Sequence, residues 1–369
     1  MTDLWVHGLP SPAVESAERL AALAVSNVVL GEAAASDVAA ARQAGLRPWV
    51  AVAAFPVQPE EEHLLCRTLS GEPVAWFGSG CPSSPVLRQR LLERVRQLAE
   101  WDIEGIFLDG IRFASPFEGI ETYFTCSCRR CQAAAADLGF SLVAVNASLH
   151  RLLPRLRDLS AEEFDHLAGT STAADGLALA VRFSPVTQWL TWRAAAITSV
   201  VAQVRAVLKA HAPEKQLAAY LFPPSLAPLV GQDYRGLARH LDLISPMIYR
   251  LGDGPACLPA ELNGLASFLP QAGGHVRSAL ASMLGLDDCA EDHVGLAAVS
   301  DQCRAARSQA GAHARLVPIL WLQDPLLSAS VSAILAGAPE GVSFYAGEAA
   351  PWQQLAIASD YLRSCHYEL

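Results

Sequence analysis

Gly105-Ile106-Phe107-Leu108-Asp109-Gly110-Ile111-Arg112-Phe113 decides how this chain is read, because an unbroken apolar run there ends in a carboxylate, a glycine and an arginine. A strand buried on both faces carries apolar residues without alternation, the pattern of a parallel sheet covered by helices. Side chains alternate across a strand, so Phe107 and Asp109 share one face while Ile106 and Leu108 share the other. If the first face looks into a barrel, Asp109 stands at its mouth, where chemistry concentrates in such folds. The competing reading is an aspartate that caps a loop.

Outward from this stretch, short apolar runs recur at residues 4–7, 27–30, 48–55, 216–222, 241–249, 316–322 and 341–345, with helical stretches between them. Alternation of strand and helix predicts a parallel sheet, and eight units predict a closed (β/α)8 TIM barrel of the α/β class. An open doubly wound sheet is the second choice, weakened because no Gly-x-Gly-x-x-Gly turn follows an early strand. Ser84-Pro85 reads as an N-cap with proline at the first helical position, and Leu87, Leu91, Val95 and Leu98 then form one apolar stripe. Ser184-Pro185 repeats that start. Trp189, Ile197, Val200, Val204 and either Val207 or Leu208 mark the buried side of the helix that follows, and Arg193 falls on the same side, either reaching the mouth or snorkelling to solvent. The distance from Asp109 to Gln216 is too long for one loop and one helix. We therefore expect a single TIM-barrel domain over 1–369 with an insertion after the fourth strand, residues 114–183, forming a lid or subdomain.

Hydrophobic residues are 52% of the 369 and charged residues 17%, which excludes disorder as the main state. The net charge of −10 provides no electrostatic footprint for nucleic acid or anionic lipid, so a glycan or small molecule is the expected partner. The N-terminus lacks a basic segment followed by an apolar one, and no run reaches the ~18 apolar residues of a membrane span. A soluble, cytoplasmic protein is expected. Nine cysteines, an odd number and sparse for this length, argue against a secreted disulfide framework. The sequence says nothing about oligomeric state.

Several segments carry a resemblance. Cys81-Pro82-Ser83-Ser84-Pro85, the Leu108-Asp109-Gly110-Ile111-Arg112-Phe113 core, Cys126-Ser127-Cys128-Arg129-Arg130-Cys131, Gly231-Gln232-Asp233-Tyr234 and Ile244-Ser245-Pro246-Met247-Ile248-Tyr249 follow in an order that resembles a bacterial glycoside hydrolase family with a TIM barrel. The likeness runs from about residue 76 to residue 250. It implies a glycosidase-like site with Asp109 matching the family's strand-end aspartate. Gly110 departs from it: many relatives carry tyrosine there, so a substrate-facing aromatic is missing.

Glycoside hydrolysis uses two carboxyl groups, one ionised and one able to give a proton. Asp109 is expected to be the ionised one, held so by Arg112 or Arg193. Its partner is sought at other strand ends, where Asp324 and Glu348 are the candidates, Asp324 slightly ahead. Tyr249 and Arg250 close the sixth run and should line the same mouth. Trp321, Tyr345 and Trp352 offer apolar platforms for sugar rings. His7 either faces the pocket or is a satisfied core histidine, and Asp233 reads as an N-cap.

Cys126, Cys128 and Cys131 support three readings: a structural zinc site, a radical-type cluster, set aside because its Cys-x-x-x-Cys-x-x-Cys spacing differs, and packing thiols or a disulfide. A structural zinc wants four ligands, with Cys81, His150 or His166 as candidates for the fourth. No cofactor is expected for the hydrolysis itself. A glycosidase leads, a non-catalytic carbohydrate-binding barrel comes second, and a metal-dependent hydrolase of another bond comes last because strand-end histidines are lacking.

Overall fold

The computed structural model describes residues 3–9, 13–31, 34–169, 177, 178, 181, 183–345 and 352–364. Its strands are β1 (Asp3–His7), β2 (Asn27–Leu30), β3 (Arg47–Ala53), β4 (Gly105–Asp109), β5 (Gln216–Leu221), β6 (Leu243–Pro246), β7 in two pieces (Arg315–Leu316 and Ile319–Trp321) and β8 (Gly341–Tyr345). Neighbours pair in parallel in chain order. The sheet closes where β1 pairs β8, from Asp3 opposite Gly341 to His7 opposite Tyr345. This is the expected barrel. The seventh strand is split because Pro318 has no N–H to donate to the ladder. Arg315–Leu316 pairs β6, and Ile319–Trp321 pairs β8.

Two packed regions follow from strand alternation. Ile106 and Leu108 face the surrounding helices, whereas Phe107 joins Trp5, Val29, Trp49, Ala218, Tyr220, Leu243 and Val317 inside the barrel. Gly105 makes room for that interior: a Cβ there would lie 2.5 Å from the Trp49 ring and 2.3 Å from the Gln216 carbonyl. Trp49 in turn donates its indole N–H to Asn27 Oδ1 at 3.2 Å, so the polar atom of a fully buried ring is satisfied.

The helix Pro85–Ala99 buries Leu87, Leu91, Val95 and Leu98 as its stripe predicts, but the Ser84 hydroxyl makes no capping bond. The helix Ser184–His211 starts one residue earlier than expected, with Phe183 at the cap and Ser184 already helical. Its buried side carries Trp189, Arg193, Ile197, Val200, Val204 and Leu208. Asp233 caps the helix Tyr234–Ala238, accepting from the amides of Arg235 and Gly236. Between β4 and the long helix lie a 3-10 turn at Pro116–Glu118 and helices Ile120–Tyr123, Arg129–Asp137, Leu142–Arg157 and Ala161–Ala168. Tyr123 and Phe124 anchor the start of this region by packing on Trp189 and Phe268. Among the described residues no helix is long and apolar enough to cross a membrane.

Candidate active site at the barrel mouth

Asp109 is the last residue of β4, on the inward face two residues above Phe107, where its side chain reaches solvent at the mouth while the surrounding strand ends displace much of the water from around its carboxyl. Below it lies an aromatic and polar floor. Phe107 stacks on Tyr220 with ring centroids 4.7 Å apart. The Tyr220 hydroxyl is 2.7 Å from His7 Nδ1, and His7 Nε2 is 2.6 Å from Ser343 Oγ. Both imidazole nitrogens are therefore engaged, and burial lowers the His7 pKa to about 3, so the ring stays neutral at ordinary pH. Of the two sequence readings of His7, the structure supports a satisfied interior histidine that also forms part of the floor.

One wall of the mouth is aromatic. Trp321, at the end of β7, lies 5.1 Å from the Tyr249 ring and 4.9 Å from the Tyr345 ring. Tyr249 is buried, while Tyr345 at the end of β8 is 40% exposed. The Asp109 charge helps raise the pKa of both Tyr220 and Tyr249, after the larger effect of burial, which places all three groups in one electrostatic neighbourhood. The structure thus brings Asp109, Tyr249, Trp321 and Tyr345 to the same end of the barrel. Trp352 is elsewhere, on the helix Trp352–Ser364 with Arg19 stacked 4.1 Å over its ring.

The electrostatic surroundings of Asp109 act against the ionised form rather than for it. Its carboxyl is pushed above the usual aspartate value because desolvation outweighs the Gly110 amide and the Arg112 charge, which act in the opposite direction. The expected guanidiniums are occupied otherwise. Arg112 donates to the Phe113 carbonyl at 2.9 Å and to Glu118 at 3.0 Å, sandwiched against Trp76 and Phe222. Arg193 has no exposed surface and donates to the carbonyls of Leu229 and Ala114, ringed by Phe113, Tyr123 and Trp189. Burial lowers its pKa to about 10. Both guanidiniums, read in the sequence as reaching the mouth, donate here to loop carbonyls within aromatic surroundings.

Asp324 is likewise committed. Its two oxygens accept from Arg250 Nε at 2.8 Å and Arg250 Nη2 at 3.1 Å, from the Ser330 hydroxyl at 2.6 Å and from the Leu326 amide at 2.9 Å. Both partners are buried, and Arg250 also holds the Val294 carbonyl. Arg250 and Asp324, read in the sequence as separate groups of the mouth, are bonded to each other. Glu348 lies outside the described residues.

Tyr220 and Ser343 were not singled out by sequence. Their signal was present: each is a polar residue in an apolar strand, at the parity of an inward-facing neighbour. Glu261 was missed too, buried on the helix Leu258–Ser267 behind the site and accepting from the Ser115 hydroxyl and the Phe117 and Ala256 amides.

The cysteine cluster has four members. Cys81, just before the helix Pro85–Ala99, joins Cys126, Cys128 and Cys131, and the four sulfurs lie within 4.8 Å of one another. Cys81 Sγ is 3.4 Å from that of Cys131 and 3.7 Å from that of Cys128. Of the candidates for the fourth position, His150 is instead bonded to the Leu69 carbonyl, and His166 is on the helix Ala161–Ala168. Tetrahedral zinc with bonds of ~2.3 Å places its sulfurs about 3.8 Å apart, close to these spacings. The cluster could bind a metal ion, and all four donors are of the soft thiolate type that zinc accepts.

No protein-family model matches the chain, and no curated protein matches it. Solved structures do. The β-galactosidase of the psychrophilic Marinomonas ef1 superposes with a TM-score of 0.61 at 12% identity, over 99% of this chain and 60% of that one. The catalytic domain of β-amylase from Paenibacillus polymyxa gives 0.59 at 11% identity, over 98% of both chains. The cold-adapted β-galactosidase of Rahnella sp. R3 gives 0.57 at 13% identity, over 99% of this chain and 56% of that one. The class defined by fold is therefore the α/β TIM barrel, the fold these solved structures share with this chain. This chain spans little more than half the length of the β-galactosidases it resembles.

Proposed function

We propose that the protein is a glycosidase acting on an oligosaccharide or glycoconjugate, with Asp109 as the carboxyl group at the reacting centre. The observation that carries this reading is the placement of Asp109 at the strand end, over the Phe107–Tyr220–His7 floor and beside the Tyr249–Trp321–Tyr345 wall. Sugar rings present apolar faces that suit aromatic walls, and a desolvated carboxyl has a raised pKa suited to proton transfer. In this reading Asp109 is the group that handles the proton, and Glu348, three residues beyond Tyr345 in sequence, is its ionised partner.

The second reading is a carbohydrate-binding barrel without turnover. It is favoured by one fact: Asp324, the other strand-end carboxylate, is locked to Arg250. Turnover of aryl glycosides and oligosaccharides by wild type, Asp109→Asn and Glu348→Gln separates the two. Loss of rate in both variants, with unchanged circular dichroism, supports the glycosidase. Glycan binding with no turnover in wild type supports the binding barrel.

We further propose that Cys81, Cys126, Cys128 and Cys131 hold a structural zinc. When bound, the ion would supply cross-linking energy rather than Lewis-acid chemistry, since four protein ligands leave no open position. The four residues tie the start of the inserted region to the loop that leads into the helix Pro85–Ala99.

A further inference from the structure

Phe77 has no role in the site described above, yet its conformation and its position both require an explanation. It occupies the long connection between β3 and the helix Pro85–Ala99, on the mouth side of the barrel. Trp76 and Ser79 face each other across a tight turn, the Ser79 amide donating to the Trp76 carbonyl at 2.8 Å and the Trp76 amide to the Ser79 carbonyl at 3.5 Å. The two residues at its tip, Phe77 and Gly78, have φ of +47° and +68°. Two positive φ values in a two-residue loop define a type I′ turn, which strongly prefers asparagine, aspartate or glycine. A phenylalanine in that position is strained, since a bulky side chain rarely adopts positive φ.

The ring gains no burial in return, for Phe77 is 72% exposed. The turn is nevertheless held firmly. The Val57 amide donates to the Gly78 carbonyl at 3.2 Å, the Gly80 amide to the Phe55 carbonyl at 2.9 Å, and Pro56 bridges Ser79. It also lies against the reacting centre: a Cβ on Gly110, the residue after Asp109, would be 3.8 Å from Ser79 Oγ. A strained, exposed aromatic on a fixed turn beside the candidate catalytic carboxyl contributes nothing evident to folding.

We propose that Phe77 is the aromatic platform of an outer sugar subsite, stacking on the apolar face of a ring one or more units away from the Asp109 position. The inference rests on the glycan reading of the mouth and extends it: the ligand is a chain of several sugars rather than a single one. The rigid turn supplies the platform with little loss of conformational freedom on binding, which is the advantage of preorganisation. Strain at the tip is then the cost of placing a ring where the turn favours a smaller residue.

The test is binding rather than turnover, so that it stands apart from the role of Asp109 in hydrolysis. An array of immobilised glycans one to six sugars long is titrated with Asp109→Asn protein and with the same protein carrying Phe77→Ala or Phe77→Asn. We expect longer members of at least one series to bind Asp109→Asn protein more tightly than its monosaccharide. Both Phe77 substitutions should remove that gain, weakening the longer glycans about fivefold or more, the effect of deleting a stacking anchor, and leave the monosaccharide unchanged. Phe77→Asn should melt at or above the parent temperature, because asparagine suits the turn, which separates lost binding from lost folding. Equal binding of long glycans with and without the Phe77 ring overturns the proposal, as does the absence of any gain with glycan length.

Discussion

Arg250 and Asp324 meet in a buried, two-point ion pair, Nε to Oδ2 at 2.8 Å and Nη2 to Oδ1 at 3.1 Å. The pair joins the loop after β6 to the loop after β7 and fixes the segment that carries Trp321 into the mouth. Ser330 and the Leu326 amide complete the carboxylate's bonding, so the pair is fully satisfied within the protein.

Removing one partner should therefore be a folding defect before it is a catalytic one. Asp324→Ala leaves a buried guanidinium without its counter-ion, and we expect a loss of about 3–5 kcal/mol in denaturant unfolding. Arg250→Met combined with Asp324→Leu and Ser330→Ala should recover part of it, because apolar side chains carry no desolvation cost, while the Leu326 amide and Val294 carbonyl still lose their partners. A stable Asp324→Asn protein that has lost only turnover would instead make Asp324 a catalytic group.

Glu261 should give the protein an acid-side dependence of stability. The Ser115 hydroxyl lies 2.8 Å from Glu261 and 2.5 Å from Glu118, and its single hydrogen cannot serve two ionised carboxylates. Glu118 is also ion-paired to Arg112, so Glu261 is the carboxyl group of the two without a guanidinium bonded to it. Burial raises the Glu261 pKa to about 6, against the opposing effects of the Ala256 and Phe117 amides, the Ser115 hydroxyl and the Arg112 charge. Tyr123 and Cys257 also feel its charge. A raised folded pKa means that the stabilising contribution is complete below about 4.5 and is lost as pH rises through about 6. The change is about 2 kcal/mol. Urea melts of wild type and Glu261→Gln across this window should differ in slope, the variant lacking the decline.

His7 works in the opposite sense. Its folded pKa lies near 3, below the ordinary value of 6.5, so its contribution is present above 6.5 and is lost as pH falls toward 3. The ring nitrogens should show no titration by NMR between pH 5 and pH 8. A His7 titration inside that range would mean that the Tyr220–His7–Ser343 chain is open to water.

Asp109 stands with Glu261 in sign. Because desolvation at the mouth raises its pKa, folding favours the neutral acid relative to the unfolded chain, and stability falls as pH rises from about 3.8 through the raised value. Asp109→Asn should therefore be at least as stable as wild type at neutral pH, with the difference shrinking in acid. Thermal melts at pH 3.5 and pH 7 test this, and a marked loss of stability in the variant at pH 7 would contradict the burial argument.

For the thiol cluster, protein purified without chelator should carry one zinc per chain by elemental analysis. Cys81→Ser and Cys128→Ser should each lose it and melt at a lower temperature. A full zinc content in Cys81→Ser would exclude Cys81 as the fourth ligand.

The barrel was legible in the sequence because its cause is local. Eight apolar runs with helical stripes between them report which faces are dry, and alternation within Gly105–Asp109 places Phe107 inward and Asp109 at the mouth without knowledge of any neighbour. The stripe through Leu87, Leu91, Val95 and Leu98 and the Asp233 cap were readable for the same reason. What charged side chains do was not readable, because that depends on which loops fold against each other. Arg193 and Ala114 are 79 residues apart, and Arg250 and Asp324 are 74 apart. Only the closed fold turned those arginines from candidate ligands of a substrate into ligands of the protein itself. Tertiary packing likewise set the pKa of Asp109, where the desolvation by surrounding elements outweighs the nearby arginine that the sequence made conspicuous.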